Sequence, residues 1–183
     1  MSTRSSAASS ASSEPTAALK RCFAPFADEQ TRLLILGSLP GEASLKAQRY
    51  YANPQNHFWR LLGGALGEDL AALDYEARLA ALVRRGIGVW DVTAEAERQG
   101  SLDGAIRNAR DNDLEGLINL LPSLQAIGFN GGRAARIGRR LLVGSARPLS
   151  LIDLPSSSPA YASMPYAAKA AAWGVLGDHV RPF

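Results

Sequence analysis

The hydrophobic pattern of this chain alternates between short, unbroken apolar runs and longer stretches with helical spacing. Continuous apolar runs are typical of strands that are buried on both faces, and here they predict strands over residues 33–37, 87–92, 124–129 and 149–154. The intervening stretches predict helices over residues 15–30, 56–66, 74–85, 114–121, 133–142 and 166–180. Asp74 and Gly86 are suited to cap the helix over 74–85. Strands that alternate with helices predict an α/β fold, a three-layer α/β/α sandwich with a central four-stranded parallel sheet.

Length and composition indicate one domain. The chain has 183 residues and a hydrophobic fraction of 46%, which is enough for one core. Residues 1–16 are rich in Ser and Ala and lack an apolar period, so we expect a disordered leader followed by a single domain over 17–183. No apolar run approaches the ~18 residues of a membrane span, and Cys22 is the one cysteine in the sequence. We therefore expect a soluble, cytoplasmic protein without an internal disulfide.

The charge is modest, at a formal +3, and three of the 20 basic residues are lysines while the rest are arginines. One stretch concentrates Arg133, Arg136, Arg139, Arg140 and Arg147. Guanidinium groups suit phosphates, although helical arginines also form ordinary solvated faces. The cluster is therefore a candidate for contact with nucleic acid.

Recognition chemistry is most concentrated just after the first predicted strand. Gly37, Pro40 and Gly41 predict a sharp turn with free peptide N–H groups, at the strand end where ligands bind in open α/β sheets. The next residues supply rings for stacking and amides for hydrogen bonding: Tyr50, Tyr51, Asn53, Gln55, Asn56 and Phe58. This segment predicts a pocket for a flat polar ring.

Several common kinds of site are not indicated. The turn lacks GxGxxG spacing, and GxxxxGK[ST] does not occur, so no nucleotide cofactor is expected. His57 and His179 are the two histidines of the sequence and lie far apart, so no metal site is expected. A serine nucleophile has no GxSxG elbow.

Five segments together resemble a known family: GSLPG (37–41), QRYYANPQNHFW (48–59), GIGVWDV (86–92), GSLDGAIRN (100–108) and LPSSSPAYAS (154–163). They resemble the uracil-DNA glycosylase superfamily, and most closely its deoxyinosine (hypoxanthine) DNA glycosylase family, over residues 33–173. The resemblance implies a monomeric, nucleoid-associated enzyme of base excision repair, with no obligate protein partner. Such an enzyme binds DNA containing deaminated bases, flips the base out and hydrolyses its N-glycosidic bond without a cofactor.

The resemblance also implies roles for the first segments. Tyr51 matches the ring that stacks on the flipped base, and Gly37, Ser38 and Leu39 form the turn that contacts it. Leu39 stands where much of the superfamily has an Asn or acidic residue, and the deoxyinosine family assigns the catalytic role to the position of Asn56. Asn56 is equally suited to cap the next helix.

Two further residues leave alternatives open. Asn53 replaces the histidine that is usual in the family, and an amide or the nearby His57 would have to supply its hydrogen bond. Asp91, at the end of the second predicted strand, is a candidate carboxylate for activating water or stabilising a positive sugar. The interpretation that we favour for Asp91 is the N-cap of a helix over residues 92–97.

The later segments are candidates for contact with DNA. Gly131 and Arg133 open a predicted helix whose free N–H groups suit a phosphate, although a plain turn would look the same. The resemblance places residues 156–163 at the loop that enters the minor groove, where the candidates are Ser156, Ser157, Ser158, Ala160 and Tyr161.

Three competing functions fit the sequence less well. A uracil- or mismatch-specific glycosylase would share the fold, and the Asn53 substitution permits it. A non-catalytic module that binds damaged DNA would explain Leu39 and the missing histidines. A nucleoside hydrolase would leave the arginine cluster without a purpose. No amine nucleophile is evident, so lyase activity is not expected.

Overall fold

Strands and helices follow one another through most of the chain. The structure is a computed structural model that describes residues 18–180. Its strands are β1 (Leu19–Arg21), β2 (Leu33–Gly37), β3 (Ile87–Asp91), β4 (Thr93–Glu97), β5 (Arg107–Asp111), β6 (Ala126–Asn130) and β7 (Ser150–Leu154). Its helices are α1 (Glu42–Ala47), α2 (Phe58–Leu66), α3 (Tyr75–Arg85), α4 (Leu114–Asn119), α5 (Gly132–Leu141) and α6 (Tyr166–Trp173), with 3₁₀ turns at Leu70–Ala72, Asp103–Ala105 and Gly174–His179.

The predicted four-stranded parallel sheet is confirmed. Its strands lie in the order β3-β2-β6-β7, and each neighbouring pair is parallel. The carboxyl ends of all four strands therefore meet at one edge. In this register Gly37, the last residue of β2, lies opposite Asp91, the last residue of β3.

The three-layer sandwich is also confirmed, with a hydrophobic cluster on each face of the sheet. Every residue of β2 is buried, and alternate side chains serve opposite layers. Leu33 and Ile35 pack with side chains of α2, α3 and α6, whereas Leu34 and Leu36 pack with those of α4 and α5. The unbroken apolar run thus reflects a strand that is covered on both sides.

The predicted caps of α3 are present. Asp74 Oδ1 accepts a hydrogen bond of 2.8 Å from Ala77 N. Gly86 ends the helix with φ 68°, in the left-handed region that favours glycine. The predicted last helix is α-helical as far as Trp173 and continues as a 3₁₀ turn, and α1 was not expected from the pattern.

The helix predicted over residues 15–30 is wrong for its described part. Residues 15–17 and the predicted leader over 1–16 lie outside the described residues. From residue 18 onward the chain forms β1, which pairs with β4, and Phe26 then forms an antiparallel bridge with Val89. Pro25 has no N–H for a helical hydrogen bond, so it was the available sign against a helix.

A second, antiparallel sheet contains β1, β4 and β5 in that spatial order, so β4 is its central strand. The helix predicted over residues 92–97 is therefore wrong, because residues 93–97 form β4. The sequence from Val92 to Glu97 alternates small or apolar residues with Thr93, Glu95 and Glu97, and a period of two is the strand signal. Cross-strand ion pairs join Glu95 to Arg21 on β1 at 3.0 Å and to Arg110 on β5 at 3.1 Å. Within residues 18–180, no helix has both the length and the apolar character needed to cross a membrane.

Candidate active site

A cavity of about 560 Å³ opens at the edge where the parallel strands end. Its lining comes from the ends of β2, β3 and β6, from the segments that follow β2 and β7, and from residues 101–103 between β4 and β5. It includes every residue selected from the sequence: Gly37, Ser38, Leu39, Tyr51, Asn53, Asn56, Asp91, Gly131, Arg133, Ser156, Ser157, Ser158, Ala160 and Tyr161. The fold therefore brings together segments that are more than a hundred residues apart in the chain.

Asp91 places a buried carboxylate in this cavity. The residue is 5% exposed, and among the described residues none donates a hydrogen bond to its Oδ2 atom. Burial raises the pKa of Asp91 to about 7, against the opposing effect of the Arg98 guanidinium and with the help of the Asp103 carboxylate. A carboxyl group with such a pKa is suited to exchange protons near neutral pH. The N-cap interpretation of Asp91 is wrong, because the next element is β4.

Gly37 allows two functional groups to approach the end of β2. A Cβ atom at this position would lie 2.6 Å from Asp91 Oδ1 and 3.2 Å from Tyr51 Oη. The first distance is shorter than any normal contact, so a larger residue would displace the carboxylate. Glycine is required here by close approach, since its backbone lies in a regular strand.

Tyr51 is a fixed ring at the side of the cavity. Its φ of 52° is unusual for a residue other than glycine. One ring face stacks on Phe58, with centroids 3.5 Å apart and planes 5° apart, and Oη accepts a hydrogen bond of 3.2 Å from Asn130 Nδ2. Burial, together with the charge of Asp91, raises the pKa of the Tyr51 phenol. Tyr51 is thus a neutral, rigid ring whose face opposite Phe58 is the one left for a ligand.

The two asparagines of the NPQN segment form a tight turn. Asn53 Oδ1 accepts from Gln55 N at 2.9 Å, and Asn56 N donates to Asn53 O at 2.9 Å. Asn56 Oδ1 accepts from Phe58 N, the first residue of α2, at 3.0 Å. The N-cap of α2 is His57 rather than the predicted Asn56, so Asn56 holds the helix start from the residue before the cap. Each side-chain oxygen already accepts one backbone N–H, whereas the amide N–H groups of Asn53 and Asn56 are not engaged by any described residue and can be offered to the cavity.

The turn after β2 contacts strand β4 and the segment that joins β4 to β5. Ser38 Oγ donates to Asp103 Oδ1 at 2.6 Å. The Leu39 side chain is buried and packs with Ala96 and Ile106, so it fills a small core. As expected for an aliphatic side chain, Leu39 has no group that can polarise a ligand.

The loop after β7 is tied to the end of β6 by Asn130. Asn130 Oδ1 accepts from Ser157 N at 2.8 Å, and Nδ2 donates to Ser157 Oγ at 2.8 Å. Ser157 O also accepts from His57 N at 3.0 Å. Because Ser157 is 1% exposed, its hydroxyl orders the loop from inside. Among the selected residues of this loop, those that remain accessible are the half-buried Ser156 and Ser158 and the exposed Ala160 and Tyr161.

The start of α5 lies directly beside this loop. Gly131 has φ 102°, and a Cβ atom on it would lie 3.1 Å from Ser156 Cβ. Gly131 N donates to Leu154 O at 3.0 Å, which joins β6 to the end of β7. Arg133 is half-buried, and its Nε atom is buried without a hydrogen-bond partner among the described residues.

Most of the arginine cluster serves the fold. Arg139 pairs with Asp153 at 3.0 Å, and Arg140 pairs with Asp111. Arg147 donates to four backbone carbonyls, those of Ile118, Leu121, Pro122 and Leu124. Three of the five arginines are thus engaged within the fold, and Arg133 is the member of the cluster that lines the cavity.

Sequence reasoning missed the residue that organises the turn after β2. Arg98 is 1% exposed and donates to the carbonyls of Leu39 at 3.3 Å, of Gly100 at 3.0 Å and of Pro40. Nothing in the sequence distinguishes it from an arginine at the surface. The alternation along β4 would have placed it at the end of a strand, although not beneath the turn.

His57 lies apart from the cavity lining. Its ring packs edge-on against Tyr166, with centroids 5.3 Å apart, so it does not stand in for the family histidine that Asn53 replaces. Among residues 18–180, no group of three or more His, Cys, Asp and Glu side chains is arranged to hold a metal ion.

Comparison with known proteins agrees with this geometry. The family model described as the uracil DNA glycosylase superfamily matches residues 24–177. A hypoxanthine DNA glycosylase from Methanosarcina acetivorans is 44% identical over 142 residues, which are 78% of this chain and 88% of the relative. One from Methanosarcina barkeri is 44% identical over 115 residues, 63% of this chain and 73% of the relative.

A solved structure shows the same fold. The solution NMR structure of a candidate uracil DNA glycosylase from Methanosarcina acetivorans has a TM-score of 0.77 and 40% sequence identity, covering 88% of this chain and 98% of that chain. The family match covers most of the chain and includes the four strands whose ends surround the cavity. The chain belongs to the uracil DNA glycosylase superfamily.

Proposed function

We propose that this protein is a monofunctional DNA glycosylase that removes hypoxanthine, with uracil and xanthine as further candidate substrates. It flips the base into the cavity, hydrolyses the N-glycosidic bond and leaves an abasic site for base excision repair. The observation that supports this most strongly is the meeting of all the selected residues around one cavity. The preference for hypoxanthine draws on the names of the two Methanosarcina relatives.

We assign to Asp91 the activation of the attacking water molecule. Breaking the bond between C1′ and the base sends the electron pair to the base and gives the sugar oxocarbenium character. The ionised carboxylate stabilises this positive charge and accepts a proton from the attacking water. A pKa of about 7 means that much of the enzyme carries the ionised form at neutral pH.

Asn56 complements Asp91 as a hydrogen-bond donor. Because its Oδ1 atom accepts from Phe58 N, its amide N–H groups are available to orient the water or to bind the departing base, which gains negative charge. Positioning of this kind lowers the barrier without a strong base. The catalytic role that we assign to Asn56 is therefore to donate hydrogen bonds that orient the water or bind the departing base.

The remaining selected residues bind the base and the DNA strand. Tyr51 stacks on the base with its free face, since its other face is fixed on Phe58. Gly37, Ser38, Leu39 and Asn53 contribute the turn and an amide to the edge of the base. The flanking phosphates are bound by the start of α5, by Arg133 and by the accessible part of the loop at 156–161.

The protein acts as a monomer in the cytoplasm, at the nucleoid, with damaged DNA as its partner. One cavity that contains the whole set of assigned groups on a single chain supports a monomer. The domain assignment over 17–183 stays a prediction.

Alkali-revealed strand cleavage tests the proposal. End-labelled duplexes carry a single deoxyinosine, deoxyuridine or deoxyxanthosine, and wild-type protein is compared with Asn56→Ala. Cleavage by the wild type, fastest at deoxyinosine, and its loss in the variant despite normal DNA binding are expected. Binding without cleavage of any of the three duplexes would instead favour a damage-binding module. A borohydride-trapped adduct with DNA would contradict the monofunctional assignment.

A further inference from the structure

The Tyr51 hydroxyl has a hydrogen-bond donor beside it but, among residues 18–180, no acceptor. The amide of Asn130 determines this polarity. Ser157 N can only donate, and it donates to Asn130 Oδ1 at 2.8 Å, so the opposite end of the amide is its NH2 group. That group donates to Tyr51 Oη at 3.2 Å and to Ser157 Oγ at 2.8 Å. The Tyr51 oxygen therefore accepts from Asn130, and its own hydrogen is left for a ligand of the cavity.

The position and the protonation state of this hydroxyl are both fixed. The ring of Tyr51 is stacked on Phe58, with centroids 3.5 Å apart. Because the oxygen lies on the axis of the ring, rotation of the ring alone does not move it. Burial and the charge of Asp91 raise the pKa of the phenol, so the oxygen keeps its hydrogen at neutral pH. Tyr51 thus presents a permanent donor at a defined place in the lining of the cavity.

This donor lies close to the Asp91 carboxylate. A Cβ atom on Gly37 would be 3.2 Å from Tyr51 Oη and 2.6 Å from Asp91 Oδ1, so both oxygens lie around one point at the end of β2. A hydrogen bond between oxygen atoms is about 2.8 Å long, so one water molecule can contact both. No described residue donates to Asp91 Oδ2, which leaves the carboxylate to accept from water. A donor and an acceptor thus border the same small part of the cavity.

We propose that the Tyr51 hydroxyl donates a hydrogen bond to the attacking water molecule, and that Asn130 is the positioning residue that directs the hydroxyl hydrogen toward it; this inference rests on the proposed function. The water oxygen forms its bond to C1′ as the bond to the base breaks, and the electron pair of that bond leaves with the base. One water proton passes to Asp91, whereas Tyr51 keeps its own. Two fixed partners hold the water in the orientation for attack, which lowers the barrier.

The test separates the rate of the chemical step from binding. Single-turnover cleavage of a duplex with one deoxyinosine is measured at saturating enzyme. Affinity is measured on a fluorinated duplex, in which 2′-fluoro-deoxyinosine replaces deoxyinosine and its glycosidic bond resists hydrolysis. Tyr51→Phe removes the hydroxyl and keeps the ring that stacks on Phe58. Asn130→Ala is made alone and together with Tyr51→Phe.

Tyr166→Phe is the matched control. Tyr166 is also a half-buried tyrosine in contact with another ring, and it is absent from the cavity lining. This variant therefore loses a phenol hydroxyl outside the cavity, and its rate and its affinity should both match those of wild type.

Tyr51→Phe should slow cleavage by about tenfold or more, while its affinity for the fluorinated duplex stays within about twofold of wild type. Asn130→Ala should slow the saturated rate to a similar extent. Added to Tyr51→Phe, however, it should slow the rate by less than about a further twofold, because the hydroxyl that it positions is then missing.

Three results would overturn the inference. The first is a wild-type rate in Tyr51→Phe. The second is a comparable loss of affinity for the fluorinated duplex, since the hydroxyl would then bind the base rather than the water. The third is an effect of Asn130→Ala that is the same with and without Tyr51→Phe. In each of them cleavage by wild type upholds the proposed function, whereas a wild type that does not cleave the deoxyinosine duplex would reject that function and the inference with it.

Discussion

Replacing Asp91 with asparagine should stabilise the fold while removing activity. Burial raises the pKa of this carboxyl from 3.8 to about 7. Between these two values the folded protein binds a proton that the unfolded chain has released, so the aspartate lowers the free energy of unfolding as the pH rises through this window. Asparagine has nearly the same shape and no charge to desolvate.

The size of the effect follows from the two pKa values. At about 1.36 kcal/mol for each pKa unit, the variant should be more stable than wild type by about 2 kcal/mol at pH 5 and about 4 kcal/mol at pH 8. The difference should level off above about pH 8, where the carboxyl is largely ionised in both states, and vanish below about pH 3, where it is largely protonated in both.

Urea denaturation of both proteins, followed by tryptophan fluorescence at pH 5, 6, 7 and 8, measures this difference. Asp178→Asn is the control, since Asp178 is exposed, and it should change the stability by less than about 0.5 kcal/mol at every pH. A stability difference for Asp91→Asn that is the same at pH 5 and pH 8 would refute the reasoning. In parallel, the single-turnover rate of wild type should rise with pH to a plateau above about pH 8, and the variant should lose this profile along with most of its activity.

Three further changes test the surroundings of this carboxylate and the fold. Gly37→Ala places a methyl group 2.6 Å from Asp91 Oδ1; it should cost about 1–3 kcal/mol in urea denaturation and slow single-turnover cleavage, and an unchanged rate would mean that the carboxylate can move without consequence. Arg98→Met leaves the carbonyls of Leu39 and Pro40 without their donor, whereas Gly100 O keeps Lys20 Nζ; the change should cost about 3 kcal/mol. It should also move the midpoint of the pH–rate profile upward, because the Arg98 guanidinium lowers the pKa of Asp91; an unmoved midpoint would contradict this. Asp74→Ala removes the hydrogen bond to Ala77 N and should cost about 1 kcal/mol with an unchanged rate, whereas a loss of activity would show that α3 has a role beyond the fold.

The parallel sheet could be predicted because its strands are apolar on both faces, as Leu33 to Gly37 illustrates. A short apolar run that ends in Gly and is flanked by predicted helices is readily interpreted as a buried strand. The small antiparallel sheet was missed because β4 and β5 are rich in charged residues, whose pairing across strands is not visible in the order of the residues. Glu95, for example, is partnered by Arg21 and Arg110, on either side of it in the chain.

The lining of the cavity could be predicted as a set, but the use of each side chain could not. A carboxylate at a strand end looks the same in sequence whether it caps a helix or stays without a partner. For Asp91 the strand that follows it and the unpartnered Oδ2 atom decide between the two among the described residues. Ser157 shows the converse, because its hydroxyl looks available in the sequence and is engaged with Asn130 in the structure. These distinctions depend on contacts between segments distant in the chain.

Strand β1 shows that the part of the chain that supports the site is longer than the part that identifies the family. The family match begins at residue 24, whereas Lys20, on β1, donates to Gly100 O and pairs with Glu42. A polypeptide trimmed to the matched residues would keep the carboxylate and the parallel sheet, but lose an edge strand and one of the supports of the cavity mouth. In this chain, the segment needed to hold the site in place therefore begins before the segment that matches the family.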